Sequence, residues 1–218
     1  MQLDWCVGEI VRILKEQGLE KNTMIVFCSD NGPVGDDGYK DGALEFMGDH
    51  KPAGPYKGGK YSIFEGGTRT PFITWWPGTI EPGISDEVVC TIDLATSLAS
   101  HLELSIPEES YIDSLDVMGA LLGKDGAKGR EHLIQQDNGG KGNFGFRKGK
   151  WKLLRHAKNM ARNVKVEEQL ANENVDRLML VDLEKDPGER VNLAKSNPEM
   201  TEKLNSELQA LLDRGRSR

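Results

Sequence analysis

The sequence predicts an α/β domain followed by a small α+β subdomain that combines an antiparallel sheet with a helix. Three observations predict this: a helical apolar pattern that leads into a short apolar strand, turn-separated strands in the second half, and an amphipathic pattern at the C-terminal end. The Gly- and Lys-rich residues after 122 are typical of a boundary. The predicted domains are therefore residues 1–125 and 126–218.

The first elements are a helix and a strand. Leu3, Ile10 and neighbouring apolar residues share one helical face, and Gly18 is placed to stop the helix. The apolar run at 24–28 then ends in Ser-Asp-Asn-Gly at 29–32, as is typical of a buried strand of a parallel sheet. Its carboxyl end therefore carries the polar groups.

The remaining elements of the first domain alternate loop, strand and helix. Residues 32–59 have no periodicity, and we interpret this stretch as a site loop because long loops are often functional. A strand is expected at 70–76 and a helix from Asp93, which we expect to cap it. A further helix at 115–122 is expected to end at Gly123.

The second domain is predicted from four strand-like runs and a terminal helix. The runs are at 133–136, 144–147, 151–154 and 178–183, which suggests a small antiparallel sheet. The last helix is expected to have Asn197 at its N-cap and Pro198 at its first position. Its apolar stripe predicts that it lies across the sheet.

The totals exclude several classes of protein. A net charge of −7 argues against a general nucleic-acid binder, because neutralising phosphates needs clustered Lys and Arg. The three cysteines, Cys6, Cys28 and Cys90, are far apart and form no CxxC pair, so neither a disulfide framework nor a zinc site is indicated. No apolar run approaches the roughly 20 residues of a membrane helix, and the start of the chain has no signal-peptide pattern.

Asp30 and Asn31 are candidate metal ligands. They follow a strand at the edge where open α/β sheets bind ligands, and both offer oxygen to a hard cation such as calcium or magnesium. An Asp-Asn-Gly sequence is equally typical of a simple turn. The spacing alone leaves both interpretations open.

Lys60 is a candidate anion ligand. It follows Gly58 and Gly59, whose flexibility would let backbone approach a ligand while the lysine supplies a compact positive charge. The alternative is a solvated surface lysine. Glu65 and Arg69 are four residues apart, and we expect them to brace this loop.

Four blocks of the sequence carry a resemblance to a known family: TMIVFCSDNG at 23–32, GGKYSIFEGGTRTPFITWWPG at 58–78, FRKGKWKLL at 146–154 and LVDLEKDPGERVNLA at 180–194. In this order they resemble the sulfatase family of the formylglycine-dependent, arylsulfatase type. Chance agreement of four blocks in order is far less plausible than one motif match. The resemblance implies the C-terminal portion of an alkaline-phosphatase-like α/β fold, incomplete at its N-terminus.

The resemblance also implies site residues and a reaction. Asp30 and Asn31 would bind calcium, in preference to magnesium, and Lys60 would bind the sulfate group on the leaving-group side. His50 is expected to contact substrate, since imidazole can hydrogen-bond a sugar hydroxyl or a sulfate, although a solvent-facing loop histidine is the alternative. The implied activity is hydrolysis of sulfate esters, on sulfated carbohydrate or an aryl sulfate.

One feature of that family is missing from the sequence. Its formylglycine is made from a Cys or Ser followed by any residue, then Pro, Ser or Ala, and an Arg; Ser105-Ile106-Pro107 is followed by Glu. We therefore expect the formylglycine in a missing N-terminal part, and no turnover by this chain alone. The alternatives are a phosphoryl-transfer relative of the same superfold and a non-catalytic carbohydrate-binding remnant.

Two further expectations concern the whole protein. By family resemblance it would be periplasmic or secreted, with no membrane span. An incomplete sheet would leave the strands at 24–28 and 70–76 partly uncovered, and the chain is then expected to self-associate.

Overall fold

The chain divides into two compact units in a computed structural model that describes residues 2–35, 38–107, 109–137, 142–157 and 176–217. Unit 1 comprises residues 1–28 and 71–130, and unit 2 comprises residues 29–70 and 131–218. The site loop is thus grouped with the C-terminal strands. The domain boundary near residue 125 stays a prediction.

Unit 1 begins with the predicted helix. Helix α1 spans Gln2–Glu16, and Gly18 follows it with a φ of 66°, the left-handed conformation that ends helices. A 3₁₀ turn at Glu20–Asn22 leads into the first strand. No described residue of α1 is buried, and Leu3 and Trp5 are each 65% exposed.

Two short strands pair in unit 1. Strand β1 (Ile25–Cys28) lies antiparallel to β2 (Phe72–Trp75), with Ile25 opposite Trp75. The prediction that this strand belongs to a parallel sheet is wrong, because β2 is its only neighbour among the described residues and runs in the opposite direction. All four β1 residues are half-buried, as expected of a strand that lacks neighbours on one side.

Two helices complete unit 1. Helix α4 (Asp93–His101) begins where predicted, and α5 (Met118–Leu121) ends just before Gly123. The capping role predicted for Asp93 is wrong: its carboxylate makes no capping bond to the helix but accepts the Cys90 N–H and pairs with Arg130 at 2.6 Å. Both side chains of this pair are buried, so each charge has its partner inside the unit.

The predicted antiparallel sheet is confirmed in unit 2. Its strands, in spatial order, are β3 (His132–Gln136), β4 (Phe144–Lys148), β5 (Trp151–Arg155) and β6 (Leu178–Asp182). Gly149, with a φ of 57°, turns the chain between β4 and β5. The register sets Phe146, Leu153 and Leu180 side by side on one face.

The terminal helix covers that face. Helix α6 (Pro198–Arg214) packs Leu204 and Leu208 against it, which confirms that the helix lies across the sheet. Asn197 stands at the predicted N-cap, but its side-chain amide donates to Leu193 O at 3.3 Å and caps no helix amide. No helix among the residues the structure describes is long and apolar enough to cross a membrane.

The opposite face of the sheet is covered by residues that follow the site loop. Leu154, Met179 and Val181 pack against Ile63 and Phe64. One short helix, α2 (Ala43–Met47), lies within the site loop, and another, α3 (Glu65–Thr68), comes directly after Phe64. The C-terminal sheet therefore supports the residues around Lys60.

Candidate functional site

Two loops that sequence analysis singled out are hydrogen-bonded to each other. The Gly32 N–H donates to Gly67 O, and the Lys60 N–H donates to Pro33 O, both at 2.9 Å. The loop after Asp30 and Asn31 is thus fixed to the segment that carries Lys60. Although 28 positions separate them in the chain, residues 32 and 60 belong to one local structure.

The two loops approach so closely that only glycine fits between them. A Cβ atom added to Gly32 would lie 1.8 Å from Gly66 O, and one added to Gly59 would lie 2.6 Å from Pro33 O. A Cβ on Gly67 would lie 2.4 Å from Gly59 O. Of the two glycines expected to make room for a ligand, Gly59 makes room for the Pro33 backbone and Gly58 for the Ser62 and Phe64 side chains.

Asp30 and Asn31 present side-chain oxygen at the start of this structure. Asp30 is exposed, and one of its carboxylate oxygens accepts the Asn31 N–H at 3.0 Å. The Asn31 side-chain amide donates to Gly32 O at 2.9 Å, which assigns its Oδ1 as the atom for an external partner. The Ser29 hydroxyl donates to Asn31 O at 2.9 Å and holds the turn.

This donor set fits part of a calcium shell. Calcium takes six to eight oxygen ligands from carboxylates, amides, carbonyls and water. Asp30 and Asn31 supply two of the preferred types, and the described residues contain no cluster of three or more His, Cys, Asp or Glu that could bind a metal without further ligands. Metal binding by Asp30 and Asn31 stays a prediction.

Lys60 lies beside a strained residue. Its side chain is half-buried, with Nζ 5.0 Å from the centre of the Tyr61 ring. Tyr61 has a φ of 80°, an unfavourable conformation for a bulky side chain. Such strain is kept where the surroundings hold it in place, often at functional sites. The backbone bond to Pro33 and the packed glycines supply that support here.

His50 lies in the part of the site loop that follows α2. Its backbone N–H donates to Met47 O at 3.1 Å, and its side chain is exposed. Exposure leaves the imidazole accessible to a ligand and equally to solvent. Substrate contact by His50 stays a prediction.

A buried group of charges beneath this loop was missed by sequence analysis. It consists of Glu65, Lys152 and Glu189, which we call the buried trio; each is at most 1% exposed. Lys152 Nζ lies 2.8 Å from Glu65 Oε1 and 2.9 Å from Glu189 Oε1. Glu189 Oε2 also accepts the Glu65 backbone N–H at 2.5 Å. One buried cation, Lys152, thus forms ion pairs with two buried carboxylates.

The two carboxylates respond differently to this arrangement. Burial pushes the pKa of Glu65 upward, but Lys152, Arg147 and Arg69 together bring that pKa below its ordinary value. Burial raises the pKa of Glu189 above its ordinary value, and Lys152 and the Glu65 N–H only partly oppose this. The trio therefore favours an ionised Glu65 beside a Glu189 that retains its proton to higher pH.

Signals for the trio were present in the sequence. Lys152 interrupts an apolar strand between Trp151 and Leu153, and a lysine there must either face solvent or find a buried partner. The brace expected between Glu65 and Arg69 is confirmed by a 3.6 Å ion pair. No spacing rule, however, links position 65 to positions 152 and 189.

His156 is a further buried polar residue of unit 2. It is 5% exposed, and its Nδ1 lies 3.2 Å from Asp176 O. Burial lowers the pKa of His156, and the charge of Lys57 lowers it further. A neutral imidazole is therefore favoured in the folded protein.

Comparisons with known proteins agree on one family. Residues 1–104 match a protein-family model described as Sulfatase. An N-acetylgalactosamine-6-O-sulfatase of Bacteroides thetaiotaomicron is 39% identical over 98% of the chain, and human arylsulfatase A is 30% identical over 94%. These alignments cover 41% and 40% of the relatives, so the chain spans about two fifths of their length.

A solved structure gives the same result. It is described in connection with the metabolism of multiple glycosaminoglycans by Bacteroides thetaiotaomicron. It superposes with a TM-score of 0.87 at 40% identity, over 96% of this chain and 43% of that one. The similarity therefore extends through the C-terminal sheet and helix, beyond residue 104.

Proposed function

Because the chain belongs to the sulfatase family, we propose that it supplies the calcium-binding and sulfate-binding residues around Lys60 of a sulfate-ester hydrolase. Its fold is part of the alkaline-phosphatase-like sulfatase fold. The observation that carries the proposal is the hydrogen-bonded pair of loops, which holds Lys60 to the turn after Asp30 and Asn31. A metal-ligand pair and a cation on one local structure suit an anionic group such as a sulfate ester.

Each of these residues has a distinct role in the proposal. Asp30 and Asn31 bind calcium through side-chain oxygen, and the bound ion would neutralise sulfate oxygens. Lys60 places a compact ammonium against the sulfate on the side of the leaving oxygen, where negative charge develops as the ester bond breaks. The Pro33 bond and the glycine packing fix the Lys60 backbone, so little reorganisation is needed when substrate binds.

The proposed substrate is a sulfated carbohydrate, with N-acetylgalactosamine 6-sulfate as the first candidate. The name of the bacterial relative, which is 39% identical, supports this choice. His50 would contact the sugar, because its exposed imidazole can donate to or accept from a hydroxyl. The sequence contains no formylglycine motif, so we expect binding without turnover from this chain alone.

The proposal extends to location and assembly. We expect the whole protein to be periplasmic or secreted, in keeping with its family. Self-association is supported by the exposed apolar side chains of α1, including Leu3 and Trp5. Sedimentation velocity should detect dimers or larger species, and Trp5→Lys should shift the distribution toward monomer; a strictly monomeric chain would contradict self-association.

Calcium binding is tested by isothermal titration. We expect calcium to bind the wild-type chain and Asp30→Asn to weaken binding by about tenfold or more, because a carboxylate ligand becomes neutral. Asp41→Asn is the matched control: Asp41 is exposed, and its carboxylate accepts a local N–H, that of Ala43. Equal effects of the two variants would contradict the assignment of Asp30.

Sulfate binding is tested with calcium present. N-acetylgalactosamine 6-sulfate should bind the wild-type chain and bind Lys60→Ala about tenfold or more weakly, since a charge-assisted contact is lost. Lys51→Ala removes an exposed lysine of the same loop and should change little. His50→Ala should weaken the sulfated sugar but not inorganic sulfate. Aryl sulfate hydrolysis that survives Lys60→Ala would overturn the proposal.

A further inference from the structure

We propose that the buried trio of Glu65, Lys152 and Glu189 positions Lys60, so that charges on the C-terminal sheet set the geometry of the sulfate contact. This inference rests on the proposed function, in which Lys60 binds the sulfate group. Lys152 and Glu189 do not touch the proposed ligand in this scheme. They are positioning residues that act through the backbone of the loop.

The trio is anchored on the buried face of the unit 2 sheet. Lys152 lies in β5 on the same face as Leu154, and its register partner in β6 is Val181. Leu154 and Val181 are both fully buried in the core that contains Phe64. Glu189 follows β6 and has a φ of 53°, an uncommon conformation for a residue other than glycine. Its carboxylate is thus directed by backbone geometry as well as by charge.

From this anchor, two bonds reach Glu65, and a third bond continues from the next residue into the loop. Glu65 receives a side-chain bond from Lys152 and gives its backbone N–H to Glu189, at 2.8 and 2.5 Å. Gly66, the next residue, donates its N–H to Lys57 O at 2.7 Å. Fixing Glu65 therefore fixes both ends of the segment from 57 to 66, and Lys60 lies between them.

The same anchor also holds the partner loop. Gly67, two residues after Glu65, accepts the Gly32 N–H at 2.9 Å, while Lys60 donates to Pro33. Displacement of Glu65 would loosen these contacts together, because the glycine backbones are in direct contact and cannot move independently. Lys60 and the turn after Asp30 and Asn31 thus depend on one buried support.

Charge explains why this support is specific. Removing Lys152 would leave the buried Glu189 carboxylate without its cation and Glu65 with only the more distant Arg69, and such buried groups must then take up protons or water. Removing Glu189 instead would leave Lys152 and Glu65 as a balanced pair but would orphan the Glu65 N–H. The two changes perturb the same loop by different means.

The experiment is amide hydrogen exchange on the full chain without ligand, read at Lys60 and Gly66 and compared with Leu204 and Leu208 in α6. Lys152→Met should speed exchange at Lys60 and Gly66 by about tenfold more than in α6, because local opening costs less free energy once the anchor is lost. The matched control is Lys150→Met. Lys150 lies two residues away, is 37% exposed and pairs with Asp182 at 3.2 Å.

A second pair of variants keeps the test decisive if Lys152→Met does not fold. Glu189→Ala should also speed exchange at Lys60 and Gly66, and Glu189→Gln should restore protection, since its amide oxygen can accept the Glu65 N–H. Equal acceleration in α6 and at Lys60, or no acceleration at Lys60 in Glu189→Ala, would overturn the inference.

Binding of inorganic sulfate in the presence of calcium separates this inference from the proposed function. Glu189→Ala should weaken sulfate binding by about threefold or more, and Glu189→Gln should recover it. If Lys60→Ala leaves sulfate binding unchanged, the proposed function fails, while the exchange result still reports on the support of the loop. If Lys60→Ala abolishes binding but Glu189→Ala leaves both affinity and exchange unchanged, only the inference fails.

Discussion

Gly32→Ala should destabilise the chain strongly through a single methyl group. The new Cβ would lie 1.8 Å from Gly66 O and 2.9 Å from the Gly67 Cα, whereas real Cβ atoms essentially never come within 3.0 Å of such neighbours. All three of its nearest neighbours are backbone atoms, so no side chain can rotate away. The loops must separate, and the Gly32 N–H bond to Gly67 O, now 2.9 Å, must lengthen.

The expected cost combines two unfavourable terms and one that opposes them. Overpacking a rigid site costs about 1–3 kcal/mol, and a weakened backbone hydrogen bond adds about 1 kcal/mol. The smaller entropy of the unfolded alanine chain returns about 0.5–1 kcal/mol. The net loss is about 1–3.5 kcal/mol, which lowers the melting temperature of a chain of this length by about 2–14 °C.

Thermal unfolding followed by circular dichroism measures this shift. Gly8→Ala is the control: a Cβ there meets nothing within 4 Å, and in the middle of α1 alanine should stabilise by about 0.5–1 kcal/mol. The two substitutions should therefore have opposite signs. A Gly32→Ala variant as stable as the wild type would refute the close packing of the two loops.

Three further predictions concern the buried side chains of unit 2. The pKa of Glu189 is raised by burial, so its protonated carboxyl favours the folded state, and this contribution is lost as pH rises from about 4.5 through the folded pKa. The melting temperature of Glu189→Gln should therefore increase relative to that of the wild type as pH rises through this range. A difference in melting temperature that does not change with pH would contradict this prediction. Burial lowers the pKa of His156 in the folded state, so stability is lost as pH falls below 6.5, the ordinary pKa of histidine. In His156→Gln the melting temperature should therefore decrease less steeply with falling pH than in the wild type. An equally steep decrease would exclude this role of His156. Leu208→Ala should cost about 2–5 kcal/mol in urea unfolding because Leu208 is fully buried against the sheet, whereas Leu102→Ala, at a 61% exposed position, should cost under about 0.5 kcal/mol.

Local patterns were sufficient to predict most elements of the fold. The helix stop at Gly18, the turn at Gly149 and the proline at the start of α6 are each encoded by one residue with a special backbone preference. The turn-separated strand runs of the second half likewise predicted an antiparallel sheet, which register and order confirm.

The errors have physical causes. Strand β1 has the continuous apolar composition of a parallel strand, yet pairing direction depends on which strand arrives beside it, and that is not encoded locally. Asp93 and Asn197 have the residue types of helix caps, but buried Arg130 attracts the first and the Leu193 carbonyl attracts the second. For Asp93, the long-range ion pair with Arg130 outweighed local capping.

The candidate site was predictable in its parts but not in its support. Asp30, Asn31 and Lys60 were selected by residue type and by resemblance, and the structure shows that the loops carrying them are bonded together. The trio under the loop joins positions 65, 152 and 189, which meet only because the sheet brings its inner face against Phe64. Such contacts between distant segments require the three-dimensional structure.

The most direct test of the proposed function is a crystal structure of the chain grown with calcium and N-acetylgalactosamine 6-sulfate. The account predicts an anomalous calcium peak at the side-chain oxygens of Asp30 and Asn31, and a sulfate oxygen within hydrogen-bond distance of Lys60 Nζ. A bound sulfated sugar that leaves Lys60 in solvent, or calcium bound away from Asp30 and Asn31, would contradict it.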